Sequence, residues 1–254
     1  MDATQPLRGL PPEFFLVHHG LLREGPGCEA ATLRALRRLP ELPPSPRIFD
    51  LGCGPGAQTL VLARTLGTRV VAVDLHRPFL DQLERSASQA GLGDLIETRC
   101  ADFGALDEPP SSIDLIWCEG AVFIMGFAES IRCWRPFLRP RGSMVVSNAV
   151  WLVDDPPAEA VAHWAEDRSI ATVRESLRRA ESEGMRVIDT FPLEPEGWWE
   201  YYAPVRRRVE ELRDRAAGNS ALVQMLNATE REIAVFERYG NTFGYQFFLM
   251  QKTP

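Results

Sequence analysis

From Ile48 onward, short apolar runs rich in β-branched residues alternate with longer amphipathic segments, and this alternation restricts the fold more than any other feature. The runs Ile48–Leu51, Val70–Val73, Ile96–Cys100 and Ile113–Cys118 have strand length. Gln58–Leu66 and Pro78–Ala90 carry apolar residues at the period of a helix with one buried face. Gly67 and Gly91 stand where helix C-caps are expected. Phe127, Ile131, Trp134 and Leu138 predict another helix, followed by the turn Pro140-Arg141-Gly142 and a strand over Ser143–Ser147. Strands separated by helices wind into a parallel sheet covered on both faces, so the expected class is α/β and Rossmann-like.

Two proline-rich breaks organise the rest. Pro40–Pro46 sets off residues 1–46 as an N-terminal helical cap, leaving 47–150 as the sheet-bearing core. Asp154-Asp155-Pro156-Pro157 opens an insert or lid over 151–204, with a helical stretch to about Glu183, a strand Met185–Phe191 and the aromatic run Trp198-Trp199-Glu200-Tyr201-Tyr202. Residues 205–254 supply two amphipathic helices, marked by Val205, Val209, Leu212 and by Leu222, Leu226, Ile233, and a closing strand Tyr245–Gln251. All of this is expected to form one structural domain.

The 254 residues carry a formal net charge of -7, which disfavours a nucleic-acid partner, and the run Arg206-Arg207-Arg208 reads as a solvated helix face. Five cysteines without a C-x-x-C pair read as reduced thiols and predict no metal site. Met1–Pro12 has neither the basic start nor the apolar run of a signal peptide, and no stretch is long enough to span a membrane, so a cytoplasmic location without membrane insertion is expected. A homodimer is left open.

The most informative segment is Ile48-Phe49-Asp50-Leu51-Gly52-Cys53-Gly54-Pro55-Gly56, a strand entering a glycine turn that opens a helix at Ala57. Glycines let a ligand approach the backbone, and the N–H groups of the helix start are expected to face its polar atoms. Gly52, Gly54 and Ala57 also satisfy the dinucleotide pattern G-x-G-x-x-A, so the turn alone leaves an NAD-dependent oxidoreductase as an alternative. Three carboxylates at successive strand ends narrow the choice. Asp50 is placed for a cationic amino group, Asp74 for two ribose hydroxyls, and Asp102 for an adenine amine, with the Phe103 amide near the ring. Cys53 and Leu75 complete the expected cofactor set. Taken singly, the carboxylates have ordinary alternatives as a helix cap, a loop start and a turn former.

Together these residues resemble the class I S-adenosylmethionine (SAM) dependent methyltransferases: D-x-G-x-G-x-G at Asp50–Gly56, then acidic Asp74 and Asp102. The likeness covers roughly 47–150. Gly25-Pro26-Gly27 with the helix Glu29–Leu39, and Ile113–Ala121, are similar to a small-molecule branch near the ubiquinone/menaquinone-biosynthesis methyltransferases. The resemblance implies a seven-stranded, mostly parallel sheet whose last strand, Tyr245–Gln251, is antiparallel. It also implies SAM as cofactor, S-adenosylhomocysteine as product, and a pre-strand segment folded over the cofactor.

Methyl transfer from a sulfonium needs alignment and exclusion of water before any catalytic group. If the acceptor must lose a proton, Glu119 at the fourth strand end is the expected base, with sulfonium-side binding as its alternative role. His18 and His19, in an apolar stretch, are the other candidates. Trp198, Trp199, Tyr201 and Tyr202 are read as acceptor walls, with core packing as the ordinary alternative. Cys118 lacks the neighbouring proline of nucleobase C5-methyltransferases, and Trp117-Cys118-Glu119-Gly120 departs from the Asn/Asp-Pro-Pro-Tyr signature of adenine- or glutamine-directed enzymes. The expected function is methylation of a small molecule enclosed by cap and insert. The alternatives are the oxidoreductase and a SAM-binding, non-catalytic partner protein.

Overall fold

A computed structural model describes residues 11–165, 167 and 170–253; residues 1–10 of the expected cap lie outside them. The strands are β1 (Ile48–Leu51), β2 (Val70–Asp74), β3 (Ile96–Cys100), β4 (Ile113–Glu119), β5 (Leu138–Trp151), β6 (Ala171–Thr172), β7 (Met185–Pro192) and β8 (Phe243–Lys252). They form one sheet in the order β3-β2-β1-β4-β5-β8-β7, with β6 paired in parallel to the end of β5. Only β8 runs against its neighbours, β5 and β7. The Rossmann-like fold with a mostly parallel sheet and an antiparallel last strand is therefore present, with the two-residue β6 as an addition.

The helices are α1 (Pro12–His18), α2 (Glu29–Leu36), α3 (Ala57–Leu66), α4 (Arg77–Gln89), α5 (Phe127–Trp134), α6 (Ala158–His163), α7 (Val173–Ser182), α8 (Pro195–Arg213) and α9 (Ser220–Tyr239). Alternate residues of each central strand enter different cores. Leu115 and Trp117 join Phe247 and Leu249 on the face covered by α8 and α9, while Ile116 and Cys118 join Phe248 and Met250 on the other. Because both faces are buried, β1, β2 and β4 read as continuous apolar runs rather than alternating ones.

Three sequence expectations are corrected here. The helix expected to reach Glu183 is divided into α6 and α7, because Ala171–Thr172 pairs with Val150 and Trp151, and the Thr172 hydroxyl then caps α7 by accepting from the Glu175 N–H at 3.2 Å. The strand expected over Ser143–Ser147 spans Leu138–Trp151: it takes in Leu138, expected in the preceding helix, and the expected turn Pro140-Arg141-Gly142, and β8 pairs with it continuously from Ser143 to Trp151. The boundary drawn between 204 and 205 falls inside α8, which carries Pro204 within it.

The aromatic run belongs to α8 and is core. Trp198 stacks on Phe236 of α9 with centroids 4.5 Å apart and meets Tyr245 of β8 edge-on at 5.1 Å. The Tyr202 hydroxyl donates to Glu232 at 3.0 Å, and half-buried Trp199 lies under the Arg206 guanidinium. These rings fix α8 and α9 to the sheet.

Candidate cofactor site

The strand order reverses direction between β1 and β4, and the ligand crevice of such a sheet opens at this switch point. A cleft of about 950 Å³, open mouth included, lies there, within the usual span of small-ligand sites. Its floor is the glycine turn after β1, and its roof is the segment between α1 and α2, through Arg23, Glu24, Gly25 and Pro26.

The turn works by omission of side chains rather than by offering donors. The Gly52 and Cys53 N–H groups both donate to the Val73 carbonyl, at 2.8 and 3.1 Å, and the Gly54 N–H donates to Asp74 Oδ2 at 2.9 Å. Gly52, at φ 68°, has no room for a Cβ, which would stand 2.5 Å from the Ala121 Cβ and 3.3 Å from the Phe103 ring. Gly56, at φ 87°, starts α3 where a Cβ would strike Leu83 of α4 at 2.3 Å, so it serves helix packing and is not part of the cleft lining.

The predicted carboxylates have different fates. Asp74 lines the cleft, and its Oδ1 accepts the His76 N–H at 2.8 Å while Oδ2 holds the glycine turn. Leu75 and Phe103 also line it. Asp50 does not: it is wholly buried beneath the turn, accepting from Thr59 Oγ1 at 2.5 Å and from Gln58 Nε2 at 3.3 Å. Asp102 likewise stands outside the lining. β3 ends two residues earlier, and Asp102 caps a short 3₁₀ turn by accepting from the Gly104 N–H at 2.8 Å, which sets the Phe103 ring under Gly52.

Burial pushes the Asp50 carboxyl up to about 7, against the pull of Thr59. A carboxyl raised in the folded state above its ordinary 3.8 binds its proton more tightly there than in the unfolded chain. Its contribution to stability is therefore full below about pH 4 and is lost as pH rises towards 7. Asp50→Asn should flatten this decline, which denaturant titrations between pH 4 and 8 without cofactor will measure; an unchanged slope would place the titration elsewhere.

Glu119 lines the cleft but is committed. Oε1 accepts from Thr32 Oγ1 at 2.7 Å and Trp117 Nε1 at 2.9 Å, and Oε2 meets Arg23 Nη1 at 3.1 Å. These partners make Glu119 a tie between the sheet and its roof. His19 is exposed at the end of α1 and outside the cleft lining. His18 is buried and stands behind the lining, stacked on Phe14 at 3.9 Å, with Nδ1 2.6 Å from Glu24. Trp198, Trp199, Tyr201 and Tyr202 stand outside this lining; Trp199 and Tyr201 instead line a second cleft with Leu21, Arg23 and Arg207. Cys118 is inaccessible, and burial raises its thiol well above the ordinary range, as it does for Cys53 in the turn.

Arg23, Glu24 and Gln58, together with the apolar Phe14, Phe79, Phe123 and Ile124, are site residues that sequence reasoning missed. A charged pair directly before Gly25-Pro26-Gly27 was the available signal. No group of three metal-ligating side chains occurs among the described residues, and no described helix is long and apolar enough to cross a membrane.

The sheet order and the switch-point cleft define an α/β domain with its ligand crevice at the strand ends. The methyltransferase-domain family matches residues 48–142, so this segment is similar to a methyltransferase domain. A SAM-dependent methyltransferase from Geobacter sulfurreducens, solved with S-adenosylhomocysteine, shares the fold over 95% of this chain and 98% of its own, with a TM-score of 0.81 and 21% identity. The Escherichia coli protein YjhP superposes with a TM-score of 0.77 at 22% identity, over 94% of this chain and 99% of its own. Ribosomal RNA large subunit methyltransferase G of Ectopseudomonas mendocina is 28% identical over 56% of this chain, a match spanning 38% of that relative.

Proposed function

We propose that this protein transfers the methyl group of SAM to a small, largely apolar acceptor that enters the cleft beside Phe14, Phe123 and Ile124. The carrying observation is the cleft itself, roofed by the 23–26 segment and walled by aromatic rings, with one arginine and no lysine in its lining. That arginine is paired with Glu119. Such a lining offers nothing to track a phosphate backbone, and a net charge of -7 adds no attraction. The departure of Trp117–Gly120 from Asn/Asp-Pro-Pro-Tyr argues in the same direction. The finer placement near the ubiquinone/menaquinone branch rests on Gly25–Gly27 and Ile113–Ala121 alone.

The residues fit the cofactor. Asp74 Oδ2, which accepts the Gly54 N–H alone, keeps a lone-pair direction for a ribose hydroxyl, and Gly52 leaves the space a Cβ would fill. Leu75, Phe79 and Phe103 offer an apolar slot for adenine, and Arg23 a cation for the carboxylate end. SAM supplies an activated methyl group on a sulfonium, so the protein's part is to orient the acceptor and exclude water.

Isothermal titration should give binding of S-adenosylhomocysteine and none of NADH; the reverse would install the oxidoreductase. With labelled SAM, the label should enter a small-molecule fraction rather than ribosomal RNA. Label in RNA alone would overturn the acceptor class, and tight binding without turnover on a broad panel would favour the non-catalytic reading. Asp74→Ala should weaken S-adenosylhomocysteine by about 1–3 kcal/mol without unfolding the chain, through loss of charge-assisted ribose bonds. Unchanged affinity would remove Asp74 from the site.

A further inference from the structure

We infer that Glu24, on the roof of the cleft, is a second carboxylate of the cofactor site and accepts one ribose hydroxyl while Asp74 accepts the other. The assignment rests on the SAM reading above. Glu24 stands over the glycine turn, its Cγ 3.4 Å from the position of a Cβ on Gly54, and the Gly54 N–H is the donor that Asp74 holds. The two acids therefore flank the same point of the cleft from roof and floor.

Asp74 already accepts one backbone N–H on each oxygen, from Gly54 on Oδ2 and His76 on Oδ1, and Oδ1 also lies 3.3 Å from His76 Nδ1. Both Glu24 oxygens are shut off from solvent; Oε2 has His18 Nδ1 beside it at 2.6 Å, while no described donor meets Oε1. Burial raises the Glu24 carboxyl, and nearby Asp74 adds to the rise. An enclosed carboxylate oxygen without a donor is costly. The group that relieves it must bring O–H or N–H donors to a point already bordered by Asp74, and a vicinal diol brings two, one for each acid.

The strap between α1 and α2 thus reads the sugar of the cofactor as well as covering it. His18 acts as a positioning residue, since its stack on Phe14 keeps the imidazole against Glu24.

Titration calorimetry on the full chain should compare S-adenosylhomocysteine with its 2′-deoxy and 3′-deoxy forms. Glu24→Gln, which preserves shape, should bind S-adenosylhomocysteine roughly 5- to 20-fold more weakly, the difference between a charge-assisted and a neutral acceptor. For one of the two deoxy ligands the difference from the parent should vanish, because the hydroxyl that Glu24 holds is missing. Glu24→Asp, with its carboxylate set back, should fall between, and thermal melts will confirm that both variants fold. Equal affinity of parent and Glu24→Gln, or the same loss for all three ligands, overturns the assignment while leaving the SAM reading intact. Failure of the parent itself to bind S-adenosylhomocysteine overturns both.

Discussion

Replacing Trp198 with alanine should destabilise the protein by about 3–5 kcal/mol, the range for deleting a buried indole that neighbouring atoms cannot replace. The ring is 3% exposed and touches α9, β8 and its own helix through Phe236, Tyr245 and Tyr202, so its loss leaves a cavity where three elements meet. The denaturation midpoint should fall while the affinity of the remaining folded protein for S-adenosylhomocysteine stays within about twofold, since Trp198 is outside the cleft lining. A variant as stable as the parent but impaired in acceptor use would restore the acceptor-wall reading.

Glu119→Ala should cost a similar amount, about 3–5 kcal/mol, for a different reason. It leaves the Arg23 guanidinium, only 10% exposed, without its counter-charge and strands the donors of Thr32 and Trp117. The roof keeps two other ties, the Gly27 N–H to the Gly197 carbonyl at 3.0 Å and Gln82 Nε2 to the Leu21 carbonyl at 2.6 Å, so the sheet should survive while cofactor affinity drops. Removing Arg23 as well should recover part of the stability, because the unpaired buried charge is then gone. A Glu119 variant with parental stability and cofactor affinity but no turnover would return the residue to the role of base.

Much of the fold was legible because its signals are local. Ile96–Cys100 begins and ends where the pattern placed it, and Gly67 caps α3 at φ 59° as expected. The glycine turn was legible for the same reason, since positive φ at Gly52, Gly54 and Gly56 leaves few residue types to choose from. The misreadings arose where a partner distant in sequence decides the outcome. Thr172 ends one helix and begins another only because β5 lies beside it, and α8 could not be distinguished from a binding wall until Phe236 and Tyr245 closed over its rings.

Within the cleft the division is sharper. The sequence by itself determined a parallel sheet, a glycine turn at its first strand end and an acid at its second, since each follows from local period, backbone freedom and strand boundary. Only the tertiary structure decided which acids face a ligand. Asp50 and Asp102 carry the same chemistry as Asp74, yet one is sealed under the turn by Thr59 and Gln58 and the other is spent on a cap. Glu24, with no strand-end position to mark it, is brought over Gly54 by the folding of the roof. A carboxylate's role depends on the donors around it, and in this cleft those donors come from residues up to 96 positions away, the span between Arg23 and Glu119.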